Sequence, residues 1–353
     1  MLKKNLSLTF QLCAVFIGTI VGAGLASGQE ITLFFTRYGH KSFKGLLICM
    51  IIYIFMGFNI IHTSIKYNLK SYNDLIKLVS PGILGKVTGI ITGVFLISSS
   101  SIILAGSGAL LHQYFNMPRF IGTIIMACIG LFTLLRNTDG LIEVNSFIVP
   151  CLLIVITTIF ILFITLSRDI ATISYIKTIP KFKNNWFISC LLYGGFNILA
   201  CSGVLVPLSS EVRNESALKR GLILGSIGLT ALGMMINFML LSNVPNIYKY
   251  DIPLLYIAHR FGVVLQVMLL VIIWLEMFST EVSDIYSLSK TLQQVFNISY
   301  KKAVVIILLI DILVSRFGFV NLIRHVYPFF GAISLIFMIQ YIMFKFNEPH
   351  KKK

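Results

Sequence analysis

Negative charge is the scarcest commodity in this chain. Only 13 Asp and Glu stand against 29 Lys and Arg in 353 residues, and charged residues make up 12% of the total. Soluble domains carry about 25%, so a water-exposed globular surface is excluded. The basic excess does not gather into runs or patches, which excludes a nucleic-acid-binding face. The six histidines are dispersed, with no His-Glu-x-x-His pair, and no two aspartates cluster in the middle of an apolar segment. Metal-assisted hydrolysis and most other enzyme chemistry lose their usual residues. Six cysteines (Cys13, Cys49, Cys128, Cys151, Cys190 and Cys201) all fall in apolar segments with no Cys-x-x-Cys spacing, so neither a zinc site nor a redox motif is expected. After Met1-Leu-Lys-Lys the apolar stretch is too long for a signal-peptide core and shows no processing pattern, so it reads as a true span.

What remains is apolar: 57% hydrophobic residues with a mean hydropathy of +0.89. A membrane core of ~30 Å needs ~20 helical residues. Ten segments qualify, at about 8–36, 43–65, 84–113, 119–136, 141–166, 186–210, 217–242, 260–290, 302–317 and 326–345. The expected fold is an all-α polytopic membrane protein, one transmembrane domain over 1–353, placed in the cell membrane. An even number of spans puts both termini on one side, and the Lys/Arg distribution makes that side cytoplasmic. The excess also suits anionic lipid. Between spans, 66–81 reads as a short amphipathic helix and 242–260 as a segment folded back over the opposite face. The polar stretch 168–185 divides the chain into two halves of five spans, repeat one about 8–166 and repeat two about 186–345.

One stretch departs from helical chemistry. Gly18-Thr-Ile-Val-Gly22-Ala23-Gly24-Leu-Ala-Ser-Gly28-Gln-Glu30 places four glycines in the first span. Each costs roughly 1 kcal/mol relative to alanine inside a helix, and an open backbone in hydrocarbon costs several kcal/mol per unpaired group. A break is therefore expected, facing protein or a cavity. The sixth span carries Tyr193-Gly194-Gly195-Phe196-Asn197, then a Ser-Gly pair and Pro207, and is expected to break too. An odd number of spans per half inverts the second repeat, and matched broken spans mark the binding site of inverted-repeat transporters. Helix packing is the competing use for these glycines.

The same residues resemble a known group. Ile17-Gly-Thr-Ile-Val-Gly22-Ala-Gly24-Leu is similar to the first-helix signature of the amino acid–polyamine–organocation (APC) superfamily. Gly195-Phe196-Asn197 resembles its Gly-Phe-acidic element, with Asn197 in place of the acid. Glu211-Val-Arg213-Asn214 with Arg220-Gly221 resembles its cytoplasmic loop, with Glu215 where proline is usual. The string Val21 to Glu30 most resembles the YkvI-like membrane proteins. The resemblance implies a LeuT-like fold, a 5+5 inverted repeat with substrate between spans one and six. The amides of Gly22, Ala23 and Gly24 would then hold a carboxylate. The carbonyls of Gly194, Gly195 and Phe196 would hold an ammonium, and Tyr193 and Phe196 would stack on the ligand or simply pack. Asn197 can orient a ligand but cannot carry a proton.

In the eighth span, Ser279 and Thr280 resemble the hydroxyl pair of the LeuT-fold sodium site, with Gly18 and Val21 carbonyls and Glu276 completing about five oxygens. Glu276, Glu281 and Asp284 are costly in an apolar span and so are functional candidates. The competing reading pairs Glu281 and Asp284 with Lys290 near the cytoplasmic end and has Ser279 and Thr280 bond back to their own helix. Asp311 is expected to pair with Arg316 and Arg324. The serines 98–101 either pack against the first span or line the substrate path. Glu30 is an outer-gate charge for Arg37 or Arg260, or else a helix cap. No cofactor is expected beyond a coupling ion. The function implied is a secondary transporter of a small amino-acid-like solute, coupled to sodium or protons. The alternative is a ligand-sensing permease homologue without flux, similar to germinant-receptor permease subunits.

Overall fold

The computed structural model describes residues 2–80, 82–136, 141–167 and 172–347. Among these there is no strand. The helices are α1 (Leu2–Ile20), α2 (Ala23–Ala26), α3 (Gln29–Phe34), α4 (Ser42–Tyr67), α5 (Tyr72–Val79), α6 (Ile83–Phe115), α7 (Arg119–Arg136), α8 (Leu141–Leu166), α9 (Ile173–Thr178), α10 (Trp186–Val212), α11 (Glu215–Leu241), α12 (Pro253–His259), α13 (Val263–Phe296), α14 (Tyr300–Ser315) and α15 (Phe319–Asn347). Single 3-10 turns lie at Thr36–Lys41 and Asn246–Lys249. Among the described residues, seven helices are long and apolar enough to cross a membrane. The remaining expected spans are the interrupted α1–α2–α3 and the shorter α7 and α14. At 16 residues and 1.5 Å per residue, α14 is short for a full crossing. The order of helices is consistent with ten crossings.

Packing divides the spans into two groups. Helices α1, α4, α10 and α11 pack on one another, as do α6, α7, α13 and α14, while α8 and α15 join the groups. The contacts pair off when spans one to five are exchanged with six to ten. The α1–α11 contact corresponds to α10–α4, α6–α7 to α13–α14, and α8–α1 to α15–α10. That correspondence is the internal repeat expressed as packing.

The connections explain themselves locally. Ser71 caps α5 by accepting from the Asp74 N–H, and the Asp74 carboxylate accepts from the Ser71 N–H, a reciprocal cap that fixes the helix start. Asn214 caps α11 through the Ala217 N–H, and the Arg213 guanidinium donates to Asn68. The segment 242–260 does fold back. Ile252, Leu254, Leu255, Ile257 and Ala258 are fully buried, and Gln113 on α6 exchanges two hydrogen bonds with the Ile252 backbone. All six cysteines are free thiols.

The sixth span differs from expectation. Helix α10 runs unbroken from Trp186 to Val212, with Pro207 inside it. Its glycines serve close approach instead. A Cβ on Gly195 would stand 3.1 Å from the Gly331 carbonyl, and one on Gly331 would stand 2.5 Å from the Leu192 carbonyl. Helices α10 and α15 thus cross backbone to backbone, as small residues allow in membranes. Because α10 is continuous, the carbonyls of Gly194, Gly195 and Phe196 accept their own helix's N–H groups and are not open to an ammonium.

Candidate functional site in the broken first span

The first span does break. The Val21 N–H still reaches the Ile17 carbonyl (2.8 Å), but the Gly22 N–H turns to Ile20 (3.0 Å). Gly22 is extended, at φ −96° and ψ −169°, so the Gly18 and Thr19 carbonyls lose their helical donors. Helix α2 then begins anew, and the amides of Ala23, Gly24 and Leu25 stand at its head with no preceding turn to receive them. After Ala26 the chain turns again through Ser27 and Gly28, whose φ of +82° favours glycine. The Ser27 hydroxyl donates to the Gly24 carbonyl (2.9 Å), and the Leu254 N–H from the folded-back segment donates to the Ser27 carbonyl (3.0 Å). Val21, Ala23, Leu25 and Ala26 are all buried. The open backbone is therefore shielded by protein, as a bilayer requires.

Two glycines at the break have opposite surroundings. A Cβ at Gly22 would meet nothing within 4 Å, so there is open space beside it. A Cβ at Gly24 would collide with the side chain of Glu30. Glu30 therefore folds back onto the break, only 3% exposed, with Oε2 lacking a hydrogen-bond partner. Its carboxyl approaches the Tyr193 hydroxyl without forming a well-shaped hydrogen bond. The neighbouring Gln29 Oε1 is also buried and unpartnered.

Glu30 does not meet the basic residues expected of it. The Arg37 guanidinium lies 5.5 Å from the centre of the Tyr248 ring, and Arg260 lies 5.2 Å from the Tyr256 ring. Both are cation–π placements. Burial pushes the Tyr248 phenol up to about 12, with the Arg37 cation pulling the other way.

Above the break sits an aromatic cluster. Tyr193 contacts Phe34, Phe35 and Phe196 at 5.3, 4.9 and 5.2 Å between ring centres, and Phe196 stacks on Tyr327 at 4.6 Å. Asn197 is tied into the protein beside this cluster. Its amide donates to the Tyr53 hydroxyl and the Tyr193 carbonyl, both at 3.1 Å, so its donors are committed to helix packing rather than to a ligand. On the far side of Phe34, a cavity of about 180 Å³ is lined by Arg37, Lys183, Arg324, Tyr38 and Ser189, among others. The Phe182 and Lys183 N–H groups both donate to the Arg37 carbonyl, clipping that loop in place. Arg37 and Arg324 are close enough to repel, and no carboxylate pairs with these three cations among the described residues.

The eighth span, α13, packs on α2. Glu276 is 2% exposed and its Oε2 has no partner. Ser279 is buried, and Thr280 donates back to the Glu276 carbonyl at 3.0 Å. Gly18 faces α8, where a Cβ would press on Val149 at 2.9 Å. Farther along α13, Asp284 lies near Ser99 and Asp311. Glu281 is fully buried beside both carboxylates. Asp311 does not pair with Arg316 or Arg324. It accepts from Ser100 (2.7 Å) and Ser101 (2.8 Å), and Arg316 instead lies over the Phe120 ring. Ser100 and Ser101 of α6 thus hold the carboxylate of α14, a role that neither packing against the first span nor lining a substrate path supplies. The Lys290 side chain lies outside the described residues. Tyr53 and Tyr327 were missed. Nothing in the local sequence around either marks it, because both enter the site from other helices.

Comparison with known proteins agrees with this architecture. The membrane protein YkvI of Bacillus subtilis (strain 168) is 30% identical over 332 residues, covering 93% of each chain. The chain belongs to the YkvI family of membrane proteins. Residues 209–352 of this YkvI-family chain match the family model for branched-chain amino acid transport protein. Among solved structures, a manganese transporter of Eremococcus coleocola superposes with a TM-score of 0.68 at 15% identity, covering 97% of this chain and 79% of that one. MhsT in complex with L-phenylalanine gives 0.66 at 14% identity, covering 97% and 92%. The fold is LeuT-like, shared with a manganese transporter and with a protein that binds L-phenylalanine, so the fold alone leaves the solute open.

Proposed function

We propose that this chain is a secondary transporter of a small amino-acid-like solute, coupled to sodium or protons and working by alternating access, with both termini in the cytoplasm. The observation that carries the reading is the buried break at Val21–Gly22. It combines released carbonyls, a fresh helix start and open space beside Gly22. Such a break costs stability, and membrane proteins keep unwound backbone at depth where it lines a binding site. The solute's carboxylate sits at the amides of Ala23 and Gly24, with Gly22 giving it room. Its side chain lies toward Tyr193 and Phe196. The match to the branched-chain amino acid transport model favours an aliphatic amino acid. The cationic cavity beyond Phe34 raises the local concentration of carboxylate-bearing solutes at the entrance, an effect that salt screens.

A cotransported sodium ion would take the carbonyls of Gly18 and Val21 with Glu276, Ser279 and Thr280. The released Gly18 carbonyl and the unpartnered Glu276 oxygen suit a hard cation that wants oxygen ligands. Because α2 packs on α13, an ion there orders the same turn of backbone that meets the solute, and this adjacency is the coupling.

The test is uptake of a panel of labelled amino acids, L-leucine included, into proteoliposomes with imposed sodium or proton gradients. Gradient-driven accumulation supports the proposal. Binding of a ligand with no flux under either gradient rejects transport.

A further inference from the structure

We infer that Glu30 is the cation-recognition residue of this site, meeting the ammonium group of an amine-bearing solute. The inference rests on the proposed function for the kind of solute, and it assigns the half of that solute which the unbroken α10 leaves without a partner. The carbonyls of Gly194, Gly195 and Phe196 are spent inside their own helix. At the break, Glu30 brings a carboxyl against Gly24, while Glu276 on α13 is assigned to the coupling ion.

Three features point the same way. Glu30 is buried at 3% exposure with Oε2 unpartnered, and a buried carboxyl carries charge only when a cation pairs with it. No Lys, Arg or His among the described residues forms an ion pair with it. Its side chain reaches the break only because residue 24 is glycine, since any Cβ there would occupy the space of its carboxyl and Cγ. This places the carboxylate against the first turn after the break, two residues from Gly22. The aromatic cluster is at hand as well: Tyr193, whose ring contacts Phe34, Phe35 and Phe196, approaches the Glu30 carboxyl. A carboxylate set among aromatic rings is a recognition set for an ammonium ion.

The test uses the purified full chain in detergent with three probes of one shape: L-leucine, isoamylamine, which lacks the carboxylate, and 4-methylpentanoate, which lacks the amine. The wild type is expected to bind L-leucine and isoamylamine. In Glu30→Gln, affinity for both falls by about tenfold or more, while any binding of 4-methylpentanoate is unchanged. The same variant, without ligand, should melt at or above the wild-type temperature, because the carboxyl it replaces has no partner for Oε2 in the ligand-free protein. Glu30→Asp keeps the charge and should recover part of the binding. Unchanged L-leucine affinity in Glu30→Gln overturns the inference and leaves the transport reading standing. A lower melting temperature without ligand assigns Glu30 a structural role and also overturns it. A wild type that binds none of the three probes rejects the amino-acid reading itself, and this inference with it.

Discussion

Replacing Gly331 by alanine tests whether α10 is a continuous helix pressed against α15. The added methyl would stand 2.5 Å from the Leu192 carbonyl oxygen and 3.0 Å from both the Leu192 carbonyl carbon and Cα. All three are backbone atoms and cannot rotate away. Favourable heavy-atom contact lies at about 3.5–4.0 Å, so the helices must part by roughly 1 Å. A gap of that size forfeits about a quarter to a half of each contact across the crossing. Overpacking of this kind costs about 1–3 kcal/mol. The control lies on α10 itself: a Cβ at Gly203 meets nothing within 4 Å. Gly203→Ala should therefore be neutral or stabilising by up to about 1 kcal/mol, since alanine is the better helix former. The two variants should differ in sign. Thermal unfolding in one detergent, followed by labelling of the buried thiols Cys49, Cys190 and Cys201, reads both. If Gly331→Ala melts with the wild type, or if Gly203→Ala falls as far, the close crossing is refuted, and with it the reason given for the glycines of α10.

Two further outcomes follow from the polar contacts. Removing both hydroxyls in Ser100→Ala/Ser101→Ala leaves Asp311 buried without donors, which should cost about 1–3 kcal/mol or more. In an Asp311→Asn background the same pair should cost less, with a coupling of about 0.5–3 kcal/mol in a double-mutant cycle of melting data; strict additivity would contradict the contact. Asn197→Ala strands the Tyr53 hydroxyl and should cost about 1–3 kcal/mol in the same melts. Because the Asn197 amide faces Tyr53, L-leucine affinity in equilibrium binding should hold, and a selective loss of binding would return Asn197 to the site.

The spans were legible because hydropathy reports what lipid demands at every position. The break at Gly22 was legible because four glycines in one apolar segment leave little helix to form. The sixth span shows where this reasoning stops. Tyr193-Gly194-Gly195-Phe196 reads alike whether the backbone leaves the helix or a second helix crowds against it. The deciding residue is Gly331, at the other end of the repeat. Glu30 shows the same limit. A carboxylate near a span end reads as a gate, and only the missing side chain at Gly24 turns it inward. Asp311 was assigned to arginines near it in sequence, whereas its donors lie on α6. A signal did exist there. Serines and an aspartate, each costly in an apolar span, are expected to find one another.

Gly22→Val is the most direct test of the central claim that solute binds at the broken first span. Gly22 is extended, a conformation valine adopts readily, and open space surrounds its would-be Cβ. The variant should insert and melt as the wild type does. Counterflow of labelled L-leucine in proteoliposomes is the measurement. Loss of counterflow in a normally folded Gly22→Val protein is predicted, because the side chain fills the place of the ligand. Full counterflow would contradict the account and move the solute elsewhere.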